Sequence, residues 1–206
     1  MKKSTISILA ILALGIGFMA SWALRPAPPI KFEAVYWFGD QARDIPDFKL
    51  VDHTNARFDH SRLSGKWHLM FFGYTQCPDI CPVTLQVLSE TLKAIEDPRL
   101  RNALKVVFVS VDPERDTPEL LKTYVEYFDP DFIGASGPVA EIDRLSKALG
   151  IGYAIDKNDE NQADYNVSHS GAIVLLNPEA KLTGVFMAPH DSAAMVRDLS
   201  QIIERY

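Results

Sequence analysis

Uninterrupted apolar stretches along this chain alternate with stretches whose apolar residues recur at helical spacing. Residues 67–74 form an apolar run, which is typical of a strand buried on both faces of a sheet. Residues 106–111 form a second run of this kind, and residues 48–51 predict a shorter strand before both. The pattern therefore predicts a sheet whose central strands are covered on both sides.

The segment after the first long strand has helical periodicity. Its apolar side chains recur three and four residues apart until Pro98 closes the segment; they are Leu85, Leu88, Leu92 and Ile95. The first turn of this helix is predicted to hold both cysteines of the chain, Cys77 and Cys81.

Two further helices follow the second long strand. Thr117 and Pro118 supply an N-cap and a proline at the first helical position. Residues 139–149 form an amphipathic helix that ends at Gly150, a residue suited to the turn after a helix.

The last part of the chain predicts a hairpin and a final helix. Residues 172–176 and 182–186 are the two strands of the hairpin, and Asp191 starts the helix. The predicted order is strand, helix, strand, helix, helix, hairpin, helix. This order, with the cysteine pair between the first core strand and its helix, predicts an α/β, thioredoxin-like fold in which helices flank a central mixed sheet.

The N-terminus is basic and then apolar. Lys2 and Lys3 precede an almost uncharged stretch, residues 5–24, which is long enough for a helix to cross a bilayer. We expect residues 1–25 to be an uncleaved membrane anchor. The alternative is a cleaved signal peptide, for which residues 21–23 offer a poor cleavage site.

The segment after the anchor is rich in proline, and we expect residues 26–34 to form a stiff stalk below a domain at 35–206. Because basic residues stay on the cytoplasmic side, the domain is expected outside the cytoplasm. In a Gram-negative cell this corresponds to a single-pass protein of the inner membrane with its domain in the periplasm.

The composition fits a single globular domain, and that domain is acidic. The net charge is -6, and the basic residues Lys2, Lys3 and Arg25 all belong to the N-terminal segment, so the domain is more acidic than the whole chain. An acidic surface argues against nucleic acid as a partner.

Two cysteines four positions apart indicate a metal or redox site. A structural disulfide would close too short a loop to stabilise the fold efficiently. Thioredoxin-like reductases usually place two residues between their cysteines, whereas three lie between Cys77 and Cys81. Thiolates at a helix N-terminus are expected to have lowered pKa values. Two thiolates favour copper(I), and an added imidazole also suits copper(II), whereas zinc requires a fourth ligand.

Position selects His169 as the third donor among the five histidines. It immediately precedes the strand at Ala172, in a loop that faces the cysteine helix in this fold, and no proline occupies the corner where thioredoxins hold one. Of the other four, His53 lies past an early strand and His60 lies in a hairpin. His68 lies inside a buried strand, and His190 lies at the start of the final helix.

Three segments together resemble the Sco (SenC) family of copper-binding proteins, namely residues 73–82, 109–118 and 165–170. The resemblance covers the predicted domain and its anchor. It implies that Cys77, Cys81 and His169 are copper ligands. It also implies that the family supplies copper to the dinuclear copper A centre in subunit II of cytochrome c oxidase, or matures that centre, with other periplasmic copper proteins as further partners.

The resemblance leaves a second role open. It implies that the cysteine pair can form a disulfide, and that some members are thiol-disulfide reductases that keep the copper-ligand cysteines of the oxidase subunit reduced. Peroxidase activity is a weaker alternative, because the expected nucleophile and arginine arrangement is absent from the sequence.

Two aspartates near the pair have alternative roles. Asp112 follows a buried strand at the edge where sites gather, and the resemblance suggests that it approaches the copper site or steers docking. It could equally be a turn residue. Asp79, between the cysteines, could attract a basic partner or simply be solvated.

Overall fold

The computed structural model describes residues 31–156 and 165–206, together with helical positions at 14, 15, 17–19 and 21. Among these residues, none of the helices has the length and apolar character needed to cross a membrane. The predicted anchor at 1–25 lies mostly outside the described residues, as does most of the stalk at 26–34. Both therefore stay predictions.

The domain is built on an eight-stranded mixed sheet and a separate two-stranded ribbon. The sheet order is β1-β10-β9-β4-β5-β6-β2-β3, in which β4, β5 and β6 are parallel and the other pairs are antiparallel. The ribbon pairs β7 with β8. The strands are β1 Val35–Trp37, β2 Lys49–Asp52, β3 Arg57–Asp59, β4 Trp67–Gly73, β5 Leu104–Ser110, β6 Ile133–Ser136, β7 Tyr153–Asp156, β8 Asn166–His169, β9 Ile173–Leu176 and β10 Leu182–Phe186.

Helices cover both faces of the sheet. They are α1 Ile80–Ala94, α2 Pro98–Ala103, α3 Pro118–Phe128, α4 Val139–Ala148 and α5 Ser192–Arg205, and short 3₁₀ helices span Gly39–Gln41 and His60–Leu63. Helices α1, α3 and α5 contribute to the core on one face, whereas α4 and the β7–β8 ribbon contribute to the core on the other. This is the predicted α/β arrangement of a mixed sheet flanked by helices.

Strand β4 is central because its side chains are buried on both faces. Leu69 and Phe71 belong to the core beneath α1, whereas Met70 and Phe72 belong to the core beneath α4. The alternation follows from the period of two in a strand, and full burial on both faces explains why the sequence shows an unbroken apolar run. The prediction of a doubly covered strand is confirmed.

The capping predictions are confirmed. The Thr117 side chain accepts a hydrogen bond from the backbone amide of Leu120, and Pro118 is the first helical residue of α3. The Asp191 carboxylate accepts one from the amide of Ala194 at the start of α5. These caps satisfy amides that have no partner inside the helix.

Several elements differ from the sequence expectations. Helix α1 begins at Ile80, so its first turn holds Cys81, while Cys77 precedes the helix; the prediction that both cysteines share that turn is wrong. The strands β1, β6, β7 and β8 and the short helix α2 were not predicted. All five are short, and β6 contains Gly134 and Ser136, so none gives a strong periodic signal.

Candidate metal centre

Three potential metal ligands meet at the carboxyl-terminal edge of the parallel strands. The donor atoms of Cys77, Cys81 and His169 all lie within 4.8 Å of one another, and both cysteines are free thiols. Sγ of Cys81 lies 3.1 Å from Nε2 of His169. The structure thus brings together the three residues that the sequence singled out.

Cys81 is the buried member of the pair. It lies in the first turn of α1 with its side chain fully inside the core. Burial raises the pKa of the Cys81 thiol, because the apolar surroundings disfavour the thiolate. The expectation that the helix N-terminus would lower the thiol pKa is therefore wrong for Cys81, where loss of solvation outweighs the helix dipole.

Cys77 is the accessible member of the pair. It is half-buried, and its amide donates a hydrogen bond of 3.2 Å to the Tyr74 carbonyl, which closes a turn after β4. The amide and hydroxyl of Thr75 in this turn both donate to the buried carboxylate of Asp116. The cysteine loop therefore has a fixed connection to the start of α3.

His169 ends strand β8, and its ring is fixed on two sides. Phe71 and Tyr74 approach it edge-on, with centroids at 5.8 and 5.9 Å. Nδ1 lies 3.1 Å from the Ser170 carbonyl, a contact in which the nitrogen must be the donor. The tautomer assigned by this bond leaves the Nε2 lone pair facing Cys81. Burial lowers the pKa of His169, which favours the neutral imidazole that a metal requires.

A glycine makes the close packing around Cys81 possible. A side chain at Gly73, the last residue of β4, would overlap Sγ of Cys81 and the ring of Phe108. Sequence reasoning gave Gly73 no role, although a glycine between a buried strand and the cysteine loop is a recognisable sign of close approach.

Asp112 is a buried structural anchor beside the site. It accepts a hydrogen bond of 2.5 Å from the Tyr165 hydroxyl and forms an ion pair with Arg115. Arg115 in turn reaches the cysteine loop at Gln76. Arg115 and Tyr165 lie in the segments 109–118 and 165–170, but the sequence pattern predicts no role for either. Asp79 caps no amide with its side chain and is exposed.

The other histidines are engaged elsewhere. His68 is buried in β4 beside the Lys66 carbonyl, and burial lowers its pKa to about 4. His53 accepts from the Gly134 amide, and His190 donates to the Gly171 carbonyl. The expected hairpin is formed by β2 and β3, and His60 directly follows it at the start of a 3₁₀ helix.

The donor set suits a soft metal ion. Two sulfurs and one imidazole nitrogen are available, and within residues 31–156 and 165–206 this is the single cluster of three or more such ligands. Thiolates with an imidazole favour copper, whereas a structural zinc site needs four ligands. Cys77 is partly exposed, so the site is open to exchange of a metal ion with another molecule.

Comparison with known proteins identifies relatives across nearly the whole described domain. The family model described as SCO1/SenC matches residues 39–204. A protein of Stutzerimonas stutzeri whose name refers to copper binding is 41% identical over 162 residues, which is 79% of this chain and 78% of the relative.

Solved structures with the same fold include copper-bound ScoI of Arabidopsis thaliana. It is 30% identical, with a TM-score of 0.69 over 78% of this chain and 98% of that one. BsSco, described as a member of the Sco family of cytochrome c oxidase assembly proteins with a disulfide switch, shares the fold at 19% identity. Its TM-score is 0.59 over 80% of this chain and 95% of BsSco.

Proposed function

Because this chain belongs to the SCO1/SenC family, we propose that it binds copper through Cys77, Cys81 and His169 and delivers the ion to an apoprotein. The proposed recipient is subunit II of cytochrome c oxidase at its dinuclear copper A centre, or another copper protein of the same compartment. Copper is the cargo of this activity.

The convergence of the three donors carries the proposal. Their donor atoms lie within 4.8 Å of one another, and His169 presents Nε2 toward Cys81. The sulfur-rich donor set accommodates copper(I), and the imidazole completes a site that also accepts copper(II). The copper-bound structure of the Arabidopsis relative supports copper as the ion.

Uneven accessibility supports release of the ion. Cys81 is buried and His169 is held between aromatic rings, whereas Cys77 is half-exposed in a loop. Three donors leave the coordination incomplete, so a thiolate of the recipient can enter beside Cys77. Ligands then exchange one at a time with no change in the oxidation state of copper(I).

A thiol-disulfide oxidoreductase is the second candidate, and the same asymmetry of the pair favours it. In such a reaction the accessible Cys77 thiolate attacks a target disulfide and forms a mixed disulfide. Cys81 then loses its proton and attacks the Cys77 sulfur, which releases the target dithiol and leaves a Cys77–Cys81 disulfide. The pair loses two electrons, and an external thiol reductant must restore it.

We propose the outer face of the bacterial inner membrane as the location, with the anchor at residues 1–25. The basic Lys2 and Lys3 and the apolar stretch that follows support this orientation. Protease treatment of spheroplasts tests it, since the domain should be digested without cell lysis. Protection of the domain until lysis would contradict the proposal.

Copper titration of the reduced full chain tests the delivery function. We expect one ion per wild-type chain, loss of that stoichiometry in Cys77→Ser and in Cys81→Ser, and weaker copper binding in His169→Ala. His190→Ala is the matched control, because His190 is half-buried and hydrogen-bonded to backbone near the site. Transfer to an apo copper A domain is then measured by the absorbance of the assembled centre.

Substitution of His169 distinguishes the two candidate functions. A carrier should lose copper transfer and oxidase assembly in His169→Ala, while a reductase should keep most of its disulfide-reducing activity. If all three ligand variants retained full copper stoichiometry and supported normal oxidase assembly, the delivery proposal would be wrong.

A further inference from the structure

The proposed copper ligands come from two separately paired parts of the domain. The cysteines follow β4 of the eight-stranded sheet, whereas His169 ends β8 of the two-stranded ribbon. Strand β8 pairs with β7. The distance between the thiols and the imidazole is therefore set by the short link of residues 170–172 to β9 and by the side chains that join the ribbon to the cysteine loop.

Arg115 makes this connection. Its Nη1 donates to the Tyr165 carbonyl at 3.1 Å and to Oε1 of Gln76 at 3.2 Å. Tyr165 immediately precedes β8, and Gln76 immediately precedes Cys77. One guanidinium thus contacts the entry to each of the two ligand-bearing segments.

Two aromatic rings lie close to the same guanidinium. Its central carbon lies 3.7 Å from the ring centroid of Tyr165 and 5.5 Å from that of Tyr74. The Tyr74 ring also packs edge-on against His169. The arginine therefore supports the imidazole through Tyr74 as well as through the ribbon backbone.

Asp112 fixes the arginine itself. The ion pair between them is largely buried, with 11% of the Arg115 side chain and 1% of the Asp112 side chain exposed. The second oxygen of Asp112 accepts the Tyr165 hydroxyl hydrogen at 2.5 Å. A planar donor paired with a carboxylate and enclosed by rings has little freedom to move, which makes it a rigid spacer.

We propose that Arg115, oriented by Asp112, is a positioning residue that sets the separation between the cysteine pair and His169 and thereby the copper affinity of the site. The inference rests on the proposed copper function. It adds Arg115 as a residue that supports the copper site without binding the metal. Loss of an outer support of a metal site typically lowers affinity about 10- to 100-fold.

The test compares Arg115→Gln with Arg62→Gln in the full chain. Arg62 is a matched control, because it pairs with the buried Asp52 at 3.4 Å and lies 5.9 Å over the Phe58 ring, in contacts that include no proposed ligand. Copper(I) affinity is measured by competition with a chromophoric chelator. We expect about a tenfold loss in Arg115→Gln and little change in Arg62→Gln.

A double substitution separates positioning from general stability. If Arg115 acts through His169, then Arg115→Gln should cause no further loss of copper(I) affinity in a His169→Ala background. An equal loss in both backgrounds would overturn the proposal, and so would wild-type affinity in Arg115→Gln. Failure of the wild type to bind copper would instead refute the proposed function.

A measurement without metal completes the test. In the reduced, copper-free protein, Arg115→Gln should speed amide exchange at residues 166–169 and shift the imidazole resonances of His169, while Arg62→Gln leaves both unchanged. Tyr165→Phe, which removes only the hydroxyl bonded to Asp112, should shift them in the same direction if Arg115→Gln fails to fold. Unchanged exchange and resonances in whichever of the two variants folds would contradict the assigned role.

Discussion

Sγ of Cys81 lies 3.1 Å from Nε2 of His169, although 88 positions separate the two residues in the chain. Burial raises the pKa of Cys81 and lowers that of His169, so the uncharged forms of both are favoured. In the metal-free protein the thiol then donates its hydrogen to the imidazole. A metal ion that binds here must displace that proton.

Copper uptake should therefore depend on pH. The Cys81 thiol keeps its proton through the neutral range because its pKa is raised, and the thiolate is the form that binds copper. Each proton released on binding makes the apparent affinity rise about tenfold per pH unit. Competition with a copper(I) chelator on the acid and alkaline sides of neutrality measures this slope, after correction for the chelator's own protonation.

A control separates the thiol from the imidazole. His169→Ala should weaken copper binding without abolishing the slope, because the lowered pKa of His169 leaves the imidazole with no proton to release at neutral pH. An affinity that is constant across the neutral range would contradict the assignment of a protonated Cys81.

Gly73 should tolerate no side chain. In Gly73→Ala the added methyl group would overlap Sγ of Cys81 and the Phe108 ring, both of which are buried. We expect a loss of about 1–3 kcal/mol in the free energy of unfolding, the usual cost of overpacking a core. Copper affinity should fall as well, because Cys81 is displaced from His169.

The matched control is Gly152→Ala, since a methyl group there would meet no atom within 4 Å. Chemical denaturation and copper titration of both variants decide the matter. Equal stability and equal copper binding in the two variants would show that the space beside Cys81 adapts to the added atoms.

The sequence predicted the parts of the fold that have strong local signals. The buried run of β4, the caps at Thr117 and Asp191 and the terminal hairpin were all confirmed. Each rests on a pattern of a few neighbouring residues, which single-sequence reasoning detects well. The convergence of Cys77, Cys81 and His169 required the fold in addition, because the cysteine loop after β4 and the end of the ribbon strand β8 meet only in the folded domain.

What the sequence did not predict depends on contacts between distant residues. The start of α1 after Cys77 and the raised pKa of Cys81 reflect how the first helical turn packs into the core. The ribbon strand β8 is short, and Arg115 contacts the residue just before it through the Tyr165 carbonyl. No local periodicity reports such contacts, so they become visible only in the folded structure.

Asp198 should be essential for stability and unimportant for metal binding. Its carboxylate is fully buried on α5 and accepts backbone hydrogen bonds of 2.7–3.1 Å from Glu33, Ala34 and Val35. Asp198→Ala leaves these amides without their acceptor, so we expect a loss of about 3 kcal/mol in the free energy of unfolding. The remaining folded protein should bind copper with unchanged stoichiometry.

Arg197→Ala provides the comparison on the same helix. Arg197 forms an exposed ion pair with Glu33, and exposed pairs stabilise proteins weakly. Thermal denaturation should therefore separate the two variants clearly. Similar melting temperatures, or loss of copper from folded Asp198→Ala, would argue against a purely structural role for Asp198.

His68 should make the folded state sensitive to acid. It is 1% exposed in β4, and burial lowers its pKa to about 4. Between its ordinary pKa near 6.5 and that value, the unfolded chain binds more protons than the folded one, so stability falls as pH falls. The full shift corresponds to about 3 kcal/mol of stability. This contribution is present above pH 6.5 and is lost once the pH falls below about 4. His68→Gln, which cannot ionise, should lack this part of the loss. Denaturant unfolding of both proteins across the window measures it, and parallel pH profiles would contradict the prediction.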